Sequence, residues 1–442
     1  MSRRASTGPP SGNGPRRVGP AAVDVPLAQS EAEPGAVPNR MLPVVITAAD
    51  VRVGLGLARA LRGLGVPIYG LASDMNSPCC RSSAWTEIEA RAGDPEHGLV
   101  DSLLKLAARH PEQVLFPAED DDVDLVSRHR DVLTRHYRLV LPGHSTVRLL
   151  GDKSAFAAWA RENRFPIPRT QVVSSPDELD AALDGMTFPV VLKPAFKSRQ
   201  WLGAGGKKMH YRLNSRGTVA EMPYGLFGAA DRYVVQEWID GGDSDVHFCL
   251  VYRDRSGREL AYQTGRKLVQ WPIATGNTAL CTTTDDPALH RLTERLFDRA
   301  GHVGLGSLEV KRDARDGEYY ITEPTVGRPN LQSNLALAAG LNLAVVAYHD
   351  ACGTSVATEP PRRRNALWMN ERNLPAALVV AARHRQLDVV EIVRALVRCR
   401  AMGFAYGAAG DLRPLLAGLA RRLHAPARLL TRSRGATTIR PE

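Results

Sequence analysis

Between residues 41 and 150 the apolar positions change period repeatedly, from short continuous runs to spacings of three and four and back again. LPVVITAAD (42–50) reads as a buried parallel strand, and Val53, Leu57, Ala60, Leu61 and Leu64 then follow at helical spacing. VPIYGLAS (66–73), VLFPA (114–118) and YRLVLP (137–142) predict further strands, with helices near 98–109 and 121–135. Such alternation predicts a small doubly wound α/β domain over 41–150. GLGLAR (54–59) matches a dinucleotide fingerprint only in part, because Arg59 stands where the third glycine belongs, so its glycines are assigned to helix packing.

From 151 to about 353 the pattern changes to β-forming runs separated by glycine-rich turns, an α+β arrangement that holds the candidate chemistry. Beyond 354 a Pro-Arg stretch (360–364) leads into a helical extension, in which Val389, Val390, Ile392, Val393, Leu396 and Val397 make one apolar face. Residues 1–40 are rich in Arg, Pro, Gly and Ser without a continuous apolar stretch, and read as a disordered leader rather than a secretory signal. The chain is also expected to be loose after about 425.

At 442 residues the chain exceeds one ordinary core, so two or three packed units are expected. Charges interrupt every apolar stretch before a bilayer-spanning length, so no membrane insertion is expected. The cysteines, Cys79, Cys80, Cys249, Cys281, Cys352 and Cys399, show neither zinc-site nor disulfide spacing, which fits a reducing cytoplasm. Adjacent Cys79 and Cys80 read as buried small hydrophobes, with redox activity as the competing reading. Residues 354–442 hold 16 Arg against 6 acids, which accounts for the whole net charge of +10. These arginines are interleaved with helical apolar positions and lack an aromatic stacking pattern, so a solvated helical face is expected ahead of a nucleic-acid site.

Burying a triphosphate requires several cations and backbone donors. FPVVLKPAF (188–196) places Lys193 at the end of a β-forming run that Pro194 stops, and GAGGKK (203–208), with Gly205, Gly206 and Lys207, follows as a glycine-rich turn able to close over phosphates. It lacks the spacing of a Walker loop. YVVQEWIDGGDSD (233–245) ends a strand in Gln236, Glu237, Trp238 and Ile239 before an acidic glycine turn, offering the apolar slot and backbone edge that an adenine needs. Glu119, Asp120, Asp121 and Asp122 sit between a strand and a helix, where they serve either the helix N-terminus or a substrate amine.

The sharpest feature is SLEVKRDARDGEYYITEPT (307–325). Two β-forming runs flank Arg315, Asp316 and Gly317, which predicts a three-residue hairpin loop. A uniform register that pairs Ala314 with Glu318 sets Glu309 opposite Glu323, with β-carbons roughly 4.5 to 5.5 Å apart. Like charges so placed repel, and a cation between them, or one carboxyl held protonated, relieves the repulsion. Magnesium suits two carboxylates that complete its shell with phosphate oxygens and water. Arg266 and Lys267 in TGRKLVQWP (264–272), together with Arg328, add cations for a transferring phosphate.

In this order the parts resemble the ATP-grasp superfamily, in particular its carboxylate–amine ligases of the D-aspartate-ligase-like kind, from about 41 to 353. GDKSAF (151–156) resembles the entry to the grasp domain, whose lysine, here Lys153, helps hold ATP. The resemblance further assigns Lys193 to phosphates and adenine, 203–208 to the flexible lid, Gln236 to Ile239 to the adenine hinge, Asp245 to the ribose, and Glu309 and Glu323 to the metal. Thr325 stands where an asparagine is commoner, and EPTVGRPN (323–330) resembles a variant within these ligases. The implied activity is ATP-dependent activation of a small-molecule carboxylate as an acylphosphate for attack by an amine, with Mg2+, or Mn2+ in its place. Arg266, Lys267 and Arg328 are the candidates for the γ-phosphate and acylphosphate. The alternative is an ATP- and magnesium-binding regulator of the same fold without turnover. A homo-oligomer is compatible with either reading.

Overall fold

Every strand of the first sheet is parallel, as continuous apolar runs alternating with helices require. In the computed structural model, which describes residues 41–94, 97–196, 211–222, 226–354 and 365–423, this sheet contains β1 (Val44–Ile46), β2 (Ile68–Ala72), β3 (Glu87–Ala90), β4 (Gln113–Phe116) and β5 (Tyr137–Arg138). Their order is β3-β2-β1-β4-β5. The Gly98–Arg109 helix stands where the sequence predicts it, and the helix expected near 121–135 forms as two, Asp120–Arg128 and Arg130–Leu133, parted at His129. β3 was not predicted: EIEA is a half-exposed edge strand whose glutamates hide its period. Gly54 lets the Arg52–Leu61 helix lie against the end of β1, since a Cβ there would sit 2.4 Å from the Ala48 carbonyl oxygen. That observation supports the packing role for GLGLAR.

The second sheet is antiparallel and small: β6 (Thr170–Val173), β7 (Val190–Pro194), β8 (Tyr211–Leu213) and β9 (Tyr233–Glu237), in the order β6-β9-β7-β8. Alternation along β7 sends Val190 and Leu192 into a core with Leu179, Tyr233 and Val235, leaving Val191 and Lys193 on the opposite face. The Lys153–Glu162 helix leads into this lobe and is capped by Asp152, whose Oδ1 accepts from the Ser154 and Ala155 amides at 2.9 and 3.1 Å. A cap of this kind contributes about 1 kcal/mol.

The third sheet has seven strands: β10 (Val246–Arg253), β11 (Glu259–Trp271), β12 (Asn277–Thr283), β13 (Gly304–Arg312), β14 (Tyr319–Val326), β15 (Ala366–Met369) and β16 (Ala401–Phe404). Their order is β14-β13-β10-β11-β12-β15-β16, antiparallel except for the β15–β16 pair. The last two strands correct the expectation of a purely helical extension. Helices Leu374–Arg383, Val389–Arg398 and Arg413–Leu423 are present, but ALWM and AMGF complete the sheet at its far edge. Both runs are only four residues long, too short to show a period beside longer helical patterns.

All six cysteines are free. Burial pushes the Cys79 thiol up to about 11 and the Cys80 thiol up to about 12, which favours the inert reading of that pair. Among the described residues no helix is long and apolar enough to cross a membrane.

Candidate functional site

A cleft of about 700 Å³ lies between the small sheet and the seven-stranded sheet, with its floor reaching the helix that starts at Asp120. On the small-sheet wall, the Lys153 amide donates to the Ala195 carbonyl at 2.8 Å, which brings the helix start against the end of β7 and sets Lys153 near Lys193. Lys193 Nζ donates to Gln236 Oε1 at 3.3 Å, and Gln236 Nε2 donates to Thr170 Oγ1 at 3.0 Å. The strand β9 therefore ends with Gln236 facing the cleft and Glu237 turned the other way, where its carboxylate accepts from the Thr187 amide at 2.8 Å. Trp238 and the buried Ile239 follow at the lip. The Trp238 ring lies beneath Arg212 (4.3 Å) and Lys311 (4.7 Å), so the hinge touches both sheets.

The opposite wall carries the charge. Glu309 and Glu323 are direct partners across β13 and β14, as the sequence predicts, but by a different route. The hairpin turns through four residues, Ala314 to Gly317, with Asp313 rather than Ala314 joined to Glu318 and Gly317 at φ +76. That register is one residue out from the predicted one, and a bulge at Thr322 restores it. The bulge has a purpose visible in the packing. It allows Ile321 to enter the core opposite Val310 while Glu323, two residues on, faces the cleft opposite Glu309. In an unbroken strand those two would share a face. The Thr322 hydroxyl bridges the bulge by donating to the Glu309 carbonyl at 3.1 Å.

Each carboxylate already has a lysine. Lys153 Nζ stands 3.0 Å from Glu323 Oε1, and the buried Lys267 Nζ stands 2.8 Å from Glu309 Oε2 and 3.2 Å from Gln270 Oε1. The repulsion between the glutamates is thus balanced by cations from two distant segments. The two carboxylates do fit a divalent ion that takes most of its shell from elsewhere: among the described residues no group of three or more His, Cys, Asp or Glu forms a protein-only cage. Thr325, two residues beyond Glu323, also lines the cleft. Arg328 lies beside them and donates from Nε to Asp120 Oδ1 at 2.5 Å, which anchors it to the first domain. Burial opposes its charge, but Asp120, Glu323 and Glu119 hold its pKa above the usual value.

Two sequence expectations are corrected. Arg266 and Lys267 do not act together, because neighbours on a strand point to opposite faces. Lys267 shares the face of Gly265, Phe248 and Glu309, whereas Arg266 shares that of His247 and pairs with Glu391 behind the sheet. Gly265 is required for this arrangement, since a Cβ there would lie 2.6 Å from the Phe248 ring. Asp245 does not reach the cleft lining; its carboxylate accepts from the Gly242 amide at 2.9 Å and closes its own turn. Gly205, Gly206 and Lys207 lie outside the described residues.

Sequence reasoning also missed residues. Lys311 lines the cleft two positions after Glu309 on the same strand, and the period of two was the signal that pointed to it. Burial holds its pKa below the usual lysine value. Asn330, which donates to Ser307 Oγ at 2.8 Å, and the buried Gln332, which donates to Thr278 Oγ1 at 2.7 Å, follow the second glutamate in a loop without a period. Of the acidic run, Asp120 to Asp122 occupy the first helical turn, and Asp122 is buried against Arg91 at 2.6 Å.

No family model matches the chain. A D-aspartate ligase of Enterococcus faecium is 24% identical over 329 residues, covering 70% of this chain and 76% of that protein. Among solved structures, N5-carboxyaminoimidazole synthetase from Staphylococcus aureus, solved also with ADP, matches with a TM-score of 0.56 at 13% identity, over 74% of this chain and 82% of that one. The biotin carboxylase domain of 2-oxoglutarate carboxylase from Hydrogenobacter thermophilus, solved with MgADP and bicarbonate, matches with a TM-score of 0.58 at 12% identity, over 74% and 73% of the two chains. Two antiparallel sheets gripping one cleft, with a parallel sheet before them, match these solved structures and give the chain the ATP-grasp fold, and in sequence it is similar to a D-aspartate ligase.

Proposed function

We propose that this protein joins a small-molecule carboxylate to an amine at the expense of ATP. The observation that carries the reading is the opposed Glu309 and Glu323 at one end of the cleft, each within reach of a lysine from a different element. A carboxylate oxygen attacks the γ-phosphorus, the bond from that phosphorus to the bridging oxygen breaks, and ADP leaves. The amine nitrogen then attacks the acyl carbon, the bond to the phosphate oxygen breaks, inorganic phosphate leaves, and the nitrogen loses a proton. No side-chain nucleophile is needed, so the chain's task is to position reactants and stabilise charge.

Glu309 and Glu323 would hold magnesium, with Thr325 adjacent, and manganese would suit the same oxygen donors. When bound, the metal neutralises charge on the phosphoryl oxygens. Lys153 and Lys267 are released from their glutamates as that charge arrives and turn to the phosphates, so the cleft exchanges internal ion pairs for nucleotide contacts. Lys193, Gln236, Trp238 and Ile239 form the adenine side, while Lys267 and Arg328 face the transferring group. Arg266 and Asp245 have no part in this assignment. The reaction belongs to the cytoplasm in this reading, in keeping with six free thiols.

Release of phosphate and ADP over a panel of carboxylates and amines tests the proposal. Turnover that requires both partners is expected. Magnesium-dependent ATP binding with no ADP formed by any pair would favour the non-catalytic regulator, the reading to which Thr325 lends weight.

A further inference from the structure

The Val389–Arg398 helix joins the core over the large sheet through Ile392 and Ala395, together with Leu280 and Leu367. Its other side holds Val389, Val390, Val393, Leu396 and Val397, all at least half exposed and Val397 73% exposed. At about 100° per residue these five fill one arc of roughly 120°, and Arg394 borders it, with exposed Arg398 further round the helix. The apolar surface extends onto the sheet. Met402 and Phe404 of β16 pair with Leu367 and Met369, so they share the face that this helix covers, yet both remain exposed. Leu412, Leu416 and Leu419 repeat the pattern as an exposed stripe beginning just before the Arg413–Leu423 helix, with exposed Arg413 beside it and Arg421 on the far side, paired with Asp74.

Charge decides what such a surface fits. Residues 365–423 contain nine Arg, no Lys and four acids. All four acids are engaged internally: Glu391 with Arg266 and Arg394, Asp411 with Arg59, Asp388 as the cap of the Val389–Arg398 helix, and Glu371 on the amides of Ala405, Tyr406 and Gly407. The outward field is therefore cationic around exposed Val and Leu. A second copy would bring arginine against arginine, and a nucleic acid has no use for aliphatic side chains in place of stacking rings. A bilayer with anionic headgroups accepts both the aliphatic side chains and the guanidinium groups. We propose that residues 365–423 seat this protein on an anionic lipid surface without spanning it, independently of what the cleft does.

The test is co-sedimentation of the full chain with vesicles of phosphatidylcholine containing about one-third phosphatidylglycerol, against phosphatidylcholine alone. Binding to the anionic vesicles is expected to be about tenfold tighter and to weaken with added salt. The double variant Val393→Asp, Val397→Asp should lose about tenfold or more of that affinity. Both positions are exposed, so its unfolding midpoint should match that of the parent chain. Equal binding to both vesicle types, or unchanged binding by the double variant, overturns the proposal. So does a parent chain that elutes as a dimer and becomes a monomer in the double variant, because the face then belongs to a second copy. Salt-sensitive binding to duplex or single-stranded nucleic acid without vesicle binding overturns it as well.

Discussion

The two walls of the cleft are built on opposite principles. The small-sheet wall offers a slot of amide and apolar groups, a strand end with Gln236, Trp238 and Ile239, flanked by Lys153 and Lys193. The seven-stranded wall concentrates Lys267, Glu309, Lys311, Glu323 and Arg328 within the same cavity. A flat heterocycle is recognised by apolar surface and backbone edges, which need no charge, whereas a transferring phosphoryl group needs cations already in place. Under the proposed function the contrast assigns affinity and turnover to different walls, and substitutions should separate them.

The largest effect is expected from Glu323→Gln, which should lower metal-dependent ADP formation about a thousandfold while far-ultraviolet circular dichroism stays unchanged. Normal turnover in that variant would remove the metal assignment. Lys267→Met comes next, with kcat falling about a hundredfold and the KM for ATP moving much less, as pre-steady-state and steady-state kinetics would show. A change confined to KM would erase the distinction between the walls. Ile239→Ala tests the apolar slot of the small-sheet wall and should raise the KM for ATP about fivefold with kcat nearly constant, since it removes apolar surface that binds ground and transition states alike. The smallest effect is assigned to Arg266→Gln. Its kcat should stay within about twofold of the parent value, and chemical denaturation should show a loss of about 1 kcal/mol from the broken pair with Glu391. A collapse of turnover there would mean that the rear face of β11 takes part in the chemistry.

How much of this was readable in advance depended on the distance over which each feature is decided. The parallel domain and the Glu309–Glu323 pairing rest on local period and one short hairpin, so they were accessible. Even there the turn was misjudged by one residue, and the pairing survived because Thr322 bulges in compensation. The short strands β3, β15 and β16 escaped notice, the first because its edge position favours glutamate and the others because four residues show no period. Three aspartates, Asp240, Asp243 and Asp245, crowd one turn, and nothing local distinguishes them. In the structure Asp243 is the buried one, accepting from the Gln270 and Ala274 amides at 2.7 and 2.9 Å, while Asp245 only closes the turn.

The sequence by itself determined the alternation of strands and helices in the parallel domain and the facing of two glutamates, because backbone period and turn chemistry act within a few residues. It also required Arg266 and Lys267 to diverge. Which of them meets the cleft was decided only when β11 found its neighbours, setting Phe248 and Glu309 on one face and His247 on the other. The partnerships of Lys153 with Glu323 and of Arg328 with Asp120 likewise arise from packing, for they join segments about 170 and 208 residues apart that no local rule connects.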